Sequence, residues 1–229
     1  MPRINAPRSG MSDRITITSD GMFSIPRRVM DRLGWVPPIR IAVDYLVDNK
    51  IKDAPLVLFL SVDSSHEGQG YALSTLNRNV ATKTGSGGKF SCALLTRTVI
   101  APRVDLPRFD VEPVYPANNL ADLVLMLTEP AWHVVDFTMA GCLLIGGTPT
   151  LIATYELLGG DGVPLRVGEG VVQNRIREHL KDDRLVRAVK RVRYFPLSEK
   201  RDAEVMEQVL LARFETRNEA LPMFNSIRA

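Results

Sequence analysis

An arginine and a histidine lie four residues apart in the last third of this 229-residue chain. Arg175 and His179 fall in residues 172–181, where apolar residues recur at helical spacing, so both side chains project from one face of a helix. A guanidinium can neutralise a phosphate, and an imidazole can give or take a proton near neutral pH. The pair could therefore serve phosphoryl chemistry, and the alternative is an ordinary polar helix face.

A carboxylate interrupts the apolar stripe of a later predicted helix, residues 203–216. A carboxylate that faces a core must pair with a cation or bind a metal ion. Mg²⁺ prefers oxygen ligands and often takes only one or two carboxylates, together with water and substrate phosphate. Glu207 is therefore a candidate metal ligand, with an arginine partner as the alternative. The stripe's other members are Ala203, Leu210 and Phe214.

An aromatic hydroxyl occupies the middle of a predicted strand, residues 151–158. Tyr155 could orient or deprotonate an attacking water if nearby cations acidify its phenol. Its alternative is an ordinary strand aromatic.

Residues 149–229 give strand, turn and helix signals in an order that would position these side chains. Glycine turns separate short apolar strands from amphipathic segments with a period near 3.6. Pro196 falls in the last strand and indicates an edge strand, because proline cannot donate a ladder hydrogen bond. The predicted strands are 151–158, 164–170 and 192–197, and the predicted helices are 172–181, 183–190 and 203–216.

This order, and the residues within it, resemble the GIY-YIG nuclease family. The family's first motif corresponds to residues 153–155, which keep Tyr155 but replace the glycine and the isoleucine. Its second motif corresponds to residues 166–168, which keep Gly168 but carry Arg166 where the family has tyrosine. The resemblance implies a small three-stranded antiparallel sheet flanked by helices.

The resemblance also implies a set of catalytic roles and a divalent ion, Mg²⁺ or Mn²⁺. The tyrosine would act as general base through water, the arginine would stabilise the phosphate, the histidine would assist proton transfer, and the glutamate would bind the metal. The residues implied are Tyr155, Arg175, His179 and Glu207, with Arg166 and the late Asn225 as further candidates.

A dense basic cluster lies within residues 182–193. Such a cluster could follow a DNA backbone beside the active site, and the alternative is a solvated face. Its members are Arg184, Arg187, Lys190, Arg191 and Arg193.

Two stretches of the first 130 residues repeat. Residues 19–24 match residues 86–91, and residues 56–61 match residues 123–128. Both matches have one offset, since 86 − 19 and 123 − 56 both equal 67. Two matches at one offset indicate two copies of one unit, at about 14–61 and 81–128.

The first copy contains a hairpin signal and a short helix. Asp20-Gly21 follows a β-branched strand and favours a tight turn. Pro26 would lie in the first turn of a helix over residues 26–33, and Gly34 would end it. Residues 17–34 resemble the AbrB-type swapped-hairpin barrel, whose members bind DNA as dimers. Two copies on one chain would form a pseudo-dimeric β-barrel-like region.

Basic side chains follow the hairpin in each copy. They could hold phosphates of duplex DNA, or they could be a solvated basic face. The candidates are Arg27, Arg28, Arg32 and Lys89, together with Arg97 and Arg103.

Composition narrows the class of protein only mildly. A net charge of +3 does not by itself indicate a nucleic-acid partner. No apolar run reaches the roughly 20 residues of a membrane span, and the N-terminus lacks a signal-peptide pattern. Cys92 and Cys142 lie in apolar surroundings without metal-ligand spacing, which predicts reduced core thiols in a cytoplasmic protein.

The sequence therefore predicts an α+β protein with a duplicated region at 1–130, a linker at 131–148 and a nuclease-like domain at 149–229. The expected function is a metal-dependent, sequence-specific endonuclease acting on double-stranded DNA, of restriction, defence or mobile-element type. Cutting both strands would require a homodimer or sequential nicking. A DNA-binding regulator with an inactive nuclease-like domain is the alternative, which Arg166 favours, and a protein-interaction module or antitoxin is a third.

Overall fold

The computed structural model describes residues 13–51, 53–63, 70–75, 87–105, 108–116, 120–145 and 150–225. The chain divides into two compact units. The N-terminal unit comprises Met1–Tyr45, Leu58–Pro113 and Ala121–Leu127, and the C-terminal unit comprises Leu46–Val57, Val114–Leu120 and Thr128–Ala229. Residues 81–86 of the predicted second copy and residues 146–149 around the predicted domain boundary lie outside the described ranges.

Antiparallel strands dominate the N-terminal unit and form a nearly closed, barrel-like sheet in the order β7-β1-β2-β6-β5-β3-β4-β9-β8. A π-helical turn, Thr96–Ile100, continues helix α2. The elements are β1 Ile15–Thr18, β2 Met22–Pro26, α1 Arg27–Leu33, β3 Ile39–Leu46, β4 Val57–Val62, β5 Tyr71–Thr75, β6 Gly87–Ser91, α2 Ala93–Leu95, β7 Arg108–Val111, β8 Pro113–Val114 and β9 Leu123–Met126.

The predicted hairpin and first helix are confirmed. The amide of Gly21 donates to the carbonyl of Thr18 over 2.9 Å and closes the turn between β1 and β2. Pro26 precedes α1, and Gly34 ends it in the left-handed region at φ 67°. A Cβ at Gly21 would lie 2.5 Å from the Cα of Ala93, so the turn also packs too closely for a side chain.

The two sequence copies pair with each other in the sheet. Strands β2 and β6 occupy equivalent places in the repeat and pair antiparallel, with Phe23 opposite Phe90. These two phenylalanines are 67 residues apart, the offset of the repeat, and their rings stack at 4.8 Å. Strand β1 of the first copy also pairs with β7 of the second. Strands from both predicted copies therefore share one sheet.

The C-terminal unit is a four-stranded antiparallel sheet in the order β10-β13-β11-β12, packed with helices. Helices α4 and α6 both pack on β11 and β12. The elements are β10 His133–Asp136, α3 Met139–Leu144, β11 Ile152–Leu158, β12 Pro164–Val171, α4 Val172–His179, α5 Asp183–Ala188, β13 Arg191–Pro196 and α6 Lys200–Asn218.

Two sequence-based expectations about this sheet are wrong. The sheet is four-stranded rather than three-stranded, because β10, which lies within the predicted linker at 131–148, pairs with β13 from His133 to Asp136. Strand β13 lies between β10 and β11, so Pro196 does not mark an edge strand. Strand β10 begins at His133, opposite Tyr194, and Pro196 pairs only with Ala153 of β11. The proline thus lies beyond the stretch paired on both sides.

Strand β11 is buried on both faces, and its side chains point alternately towards α4 and towards α6. Tyr155 joins the core formed with Val172 and Ile176 of α4. On the other face, the hydroxyl of Thr154 donates to the carbonyl of Ala203 in α6 over 3.1 Å. Because successive strand residues point to opposite faces, Tyr155 faces α4 whereas Thr154 faces α6.

Each unit contains one of the chain's two tryptophans. Trp35 is buried in the N-terminal unit. In the C-terminal unit, the guanidinium of Arg193 lies 4.4 Å from the centre of the Trp132 ring, and Phe195 contacts that ring edge-on. Among the described residues, no helix combines the length and apolar character needed to cross a bilayer.

Candidate active site

A tyrosine and a histidine form the centre of the candidate site. The hydroxyl of Tyr155 and Nε2 of His179 lie 2.7 Å apart and share a hydrogen bond. Helix α4 follows β12 directly, and the amide of Val172 donates to the carbonyl of Leu151, which fixes the helix beside β11. Since Ile176 is buried against the sheet, His179 one turn later also points towards it. The structure thus brings together two residues that lie far apart in sequence.

The glycine of the second motif makes room for the tyrosine ring. Gly168 lies opposite Tyr155 in the β11–β12 ladder. A Cβ built at Gly168 would lie 2.4 Å from the tyrosine hydroxyl oxygen and 2.5 Å from Cζ. The ring therefore crosses β12 over bare backbone, which explains why a side chain is excluded at this position.

A second glycine accommodates the arginine of α4. Gly170 has φ +122°, and a Cβ there would lie 3.2 Å from Nε of Arg175. That Nε donates to the carbonyl of Glu169, and Nη1 pairs with Glu178 at 3.3 Å. The Arg175 side chain remains 47% exposed. Its guanidinium is thus positioned on β12 and still accessible to a ligand.

Arg166 lies on the same face of β12 as these two glycines. Residues 166, 168 and 170 of a strand share one face, because the side-chain period is two. Nη1 of Arg166 donates to the carbonyl of Phe224 over 3.0 Å. Its Nε is buried and has no hydrogen-bond partner among the described residues. Arg166 is therefore part of the site.

Asn225 holds the backbone beside Arg166. Its Oδ1 accepts from the amide of Val167 at 2.7 Å, and its Nδ2 donates to the carbonyl of Val167 at 2.9 Å. The side-chain amide therefore pairs with β12 as a neighbouring strand would. In the structure this candidate catalytic residue is a backbone clamp.

Burial determines the protonation of the central pair. The pKa of Tyr155 is raised because burial disfavours the phenolate, and Arg166 and Arg175 offset this only in part. The two arginines alone therefore do not acidify the phenol. Burial, followed by the same two arginines, lowers the pKa of His179 to about 4. At neutral pH the tyrosine is protonated and the histidine is neutral.

Two carboxylates act on Tyr155 from β12 and α6. Glu207, which is half-buried, and Glu169 both raise the tyrosine pKa through their negative charge. Glu169 was not among the residues predicted from the sequence, and its one available signal was its place between Gly168 and Gly170. Its Oε2 is buried without a hydrogen-bond partner among the described residues. Glu169 lies opposite Thr154, so it is on the α6 side of the sheet.

The donor set fits a hard, loosely held cation. No group of three or more histidine, cysteine, aspartate or glutamate side chains that could hold a metal occurs within the described part of the chain. Mg²⁺ commonly binds through one or two carboxylates and fills its other positions with water and phosphate. Glu207, and the buried unpartnered oxygen of Glu169, are ligands of this kind.

The basic candidates of the C-terminal unit lie exposed on α5 and at the start of β13. Arg184 pairs with Asp182, which caps α5. The remaining three make backbone contacts or lie in the ladder: Arg187 donates to the carbonyl of Asp183, Lys190 donates to the carbonyl of Arg187, and Arg191 lies opposite Asp136.

The basic candidates of the N-terminal unit surround α1 and β6. Arg27 pairs with Asp31 on the same helix at 2.7 Å, and Arg28 lies 4.0 Å from Asp13. Arg32 is exposed in the last turn of α1. Lys89 is half-buried in β6, whereas Arg97 and Arg103 are exposed around the π-helical turn.

Comparison with protein-family models, with curated proteins and with solved structures found no match.

Proposed function

We propose that this chain is a metal-dependent DNA endonuclease that hydrolyses phosphodiester bonds at a GIY-YIG-type site. The observation that carries the proposal is the hydrogen bond between Tyr155 and His179, with Arg166 and Arg175 close enough to act electrostatically on both side chains. A neutral proton acceptor between two fixed cations suits the hydrolysis of an anionic ester.

The tyrosine and the histidine move one proton. As the oxygen of the attacking water bonds to phosphorus, the water must lose a proton. Tyr155 cannot store a negative charge, because burial raises its pKa, so its oxygen accepts that proton while its own proton passes to Nε2 of His179. His179 can accept it because the ring is neutral at pH 7. The leaving oxygen takes a proton from solvent.

Arg175 would stabilise the charge that develops on the phosphoryl oxygens. Contacts with Glu169 and Glu178 orient its guanidinium, so little reorganisation is needed when substrate binds. A divalent ion, Mg²⁺ or Mn²⁺, would add positive charge at the phosphate when bound. Glu207 would hold that ion.

Duplex DNA is the proposed partner. In the C-terminal unit the exposed cations of α5 and β13 would contact backbone phosphates, and α1 and β6 of the N-terminal unit would hold the duplex in register. Cutting both strands with one site per chain requires a homodimer or sequential nicking. Sequence-specific cleavage of restriction, defence or mobile-element type, in the cytoplasm, is the proposed context.

Replacing the carboxylate of Glu207 tests the proposal. Full-length protein is incubated with mixed-sequence duplex DNA and Mg²⁺ or Mn²⁺, and nicking is followed on gels. Glu207→Gln keeps the shape but removes the charge that holds the ion, so the cleavage rate should fall about 10²-fold or more. Glu204→Gln is the matched control, because Glu204 is exposed on the same helix and pairs with Lys200.

Two outcomes decide against the endonuclease. Equal cleavage by the wild type and Glu207→Gln would show that Glu207 does not hold a required metal ion. No cleavage of any substrate by the wild type would exclude the endonuclease activity. Duplex binding without metal-dependent nicking would instead support a DNA-binding regulator with an inactive site, which the loss of the motif tyrosine at Arg166 favours. Absence of salt-sensitive DNA binding would leave a protein-interaction module.

A further inference from the structure

We infer that Arg166 is a second phosphate-binding guanidinium of this site and that the chain segment 222–225 positions it. The inference rests on the proposed endonuclease function, because the ligand is taken to be a DNA phosphodiester. The inference gives a different interpretation of Arg166, which stands where the GIY-YIG family has tyrosine. A neutral tyrosine hydroxyl is replaced by a permanent cation, which adds a charge to the site instead of disabling it.

An unused donor is the first observation. A guanidinium carries five N–H donors in a fixed fork. One donor of Arg166 reaches the carbonyl of Phe224, whereas its Nε is buried without a partner among the described residues. A buried donor left unpaired is unfavourable, and native proteins keep few of them. An anionic oxygen that entered the site would satisfy this N–H and gain a charge-assisted hydrogen bond.

The second observation is the pair of guanidiniums along one face of β12. On this face Arg166 is followed by Gly168 and Gly170, and Arg175 lies against Gly170. The two ends are four residue steps apart, or about 13 Å, and both arginine side chains are long enough to reach towards the middle, where the ring of the site tyrosine covers Gly168. Both guanidiniums lower the pKa of His179, so both lie near this imidazole. Two cationic forks near one site suit the non-bridging oxygens of a phosphodiester.

The third observation is the clasp that fixes Arg166. The amide of Phe224 donates to the carbonyl of Leu165, and the carbonyl of Phe224 accepts from Arg166. Asn225 then pairs with both backbone groups of Val167. Three consecutive residues of β12 are therefore tied to two residues near the end of the chain. Strand β12 is last in the sheet order, so this segment supports a strand that has one neighbour in the described sheet.

Phosphate binding by the full-length, metal-free protein tests the inference. Inorganic phosphate and a short DNA duplex are titrated separately into the wild type, Arg166→Gln, Arg166→Lys and Arg201→Gln. Arg166→Gln should weaken phosphate binding about tenfold or more, because it removes a charge-assisted bond. Arg166→Lys keeps the charge but loses the forked guanidinium, so its affinity for phosphate should lie between those of the wild type and Arg166→Gln. Arg201→Gln removes an exposed charge of the same unit and should change nothing.

An NMR titration of the His179 imidazole supplies a readout that does not depend on catalysis. Arg166 lowers the pKa of His179, so Arg166→Gln should raise that pKa, whereas Arg201→Gln should leave it in place. Asn225→Ala keeps Arg166 but releases the clamp on Val167. It should shift the imidazole pKa in the same direction and weaken phosphate binding. Thermal melting checks that each variant is folded, and Arg166→Lys carries the comparison if Arg166→Gln does not fold.

The results separate this inference from the proposed function. The inference is overturned if the phosphate affinity and the His179 pKa are unchanged in folded Arg166→Gln or Arg166→Lys, even if the wild type cuts DNA. Failure of the wild type to bind phosphate or duplex overturns it as well. A wild type that binds phosphate through Arg166 but never cuts DNA keeps the inference and removes the endonuclease.

Discussion

At the scale of single residues, the site depends on the absence of a side chain at Gly168. Tyr155 occupies the space above Gly168, and its hydroxyl reaches His179 only because β12 is bare at this point. Glycine at position 168 therefore has a packing reason that needs no positive φ. The same contact explains why tyrosine and glycine occur as a pair in opposite positions of two strands.

Gly168→Ala should disrupt this contact. The new methyl group would overlap the tyrosine hydroxyl oxygen, which a built Cβ approaches to 2.4 Å. Overpacking of this kind costs about 1–3 kcal/mol, and displacement of Tyr155 should abolish nicking. Urea denaturation and the nicking assay measure the two effects.

Gly160→Ala is the matched control, because a Cβ there would meet only the Lys190 side chain, at 3.9 Å. Adding Tyr155→Leu to Gly168→Ala removes both overlapping atoms, the hydroxyl oxygen and Cζ, and should restore part of the lost stability without restoring activity. Equal stability of the two glycine variants would contradict this account of the site.

The residue types of the site could be predicted from sequence, but their ionisation could not. Helical spacing placed Arg175 and His179 on one face, and strand and helix patterns selected Tyr155 and Glu207. The raised pKa of Tyr155 follows from burial between α4 and β12, which depends on tertiary packing. The position of the Arg166 side chain likewise depends on tertiary packing, because its Nη1 donates to the carbonyl of Phe224, 58 residues later in the chain.

At the scale of elements, local signals predicted the helices better than the sheet order. Helices α4 and α6 lie close to the predicted ranges because an apolar period of 3.6 is a local property. Strand β10 has four residues, and its pairing with β13 is remote in sequence, so no local signal specified it. The prediction of an edge strand from Pro196 failed for the same reason, since the pairing around this proline depends on where β10 begins.

An ion pair in the middle of this sheet should carry much of its stability. Glu156 of β11 is buried, and its carboxylate accepts from Arg193 of β13. Arg193→Ala would leave that carboxylate without its cation, which typically costs about 3–5 kcal/mol. The free energy of unfolding in urea measures the loss.

Arg184→Ala is the control, because its ion pair with Asp182 is exposed and should contribute little. Combining Arg193→Ala with Glu156→Gln removes the buried charge and should recover part of the stability. A loss no larger than that of Arg184→Ala would show that the buried pair is dispensable.

At the scale of the whole molecule, the sequence repeat has a direct structural counterpart. An offset of 67 residues relates Phe23 to Phe90, and these rings stack across the β2–β6 pair. The repeat could be predicted from the sequence because it recurs in two segments at one offset. The pairing of β1 with β7 was not predicted, since it joins residues 90 or more positions apart.

Phe23→Ala should destabilise the N-terminal unit strongly. Removing a fully buried aromatic side chain costs about 3–5 kcal/mol, and here it also removes the stacked partner of Phe90. Leu94→Ala is the control, since Leu94 is 73% exposed and its loss should change stability by no more than about 0.5 kcal/mol. Circular dichroism during urea denaturation distinguishes them, and similar midpoints would argue against a shared core for the two copies.

The placement of the two tryptophans gives the protein a built-in optical reporter for each unit. Trp35 is buried among apolar side chains, whereas Trp132 lies beneath the Arg193 guanidinium, so the two indoles have different surroundings. Replacing either one with phenylalanine leaves a single fluorophore whose emission reports on one unit. The unfolding of each half of the chain, and its response to DNA, can then be followed separately in the intact protein without an added dye.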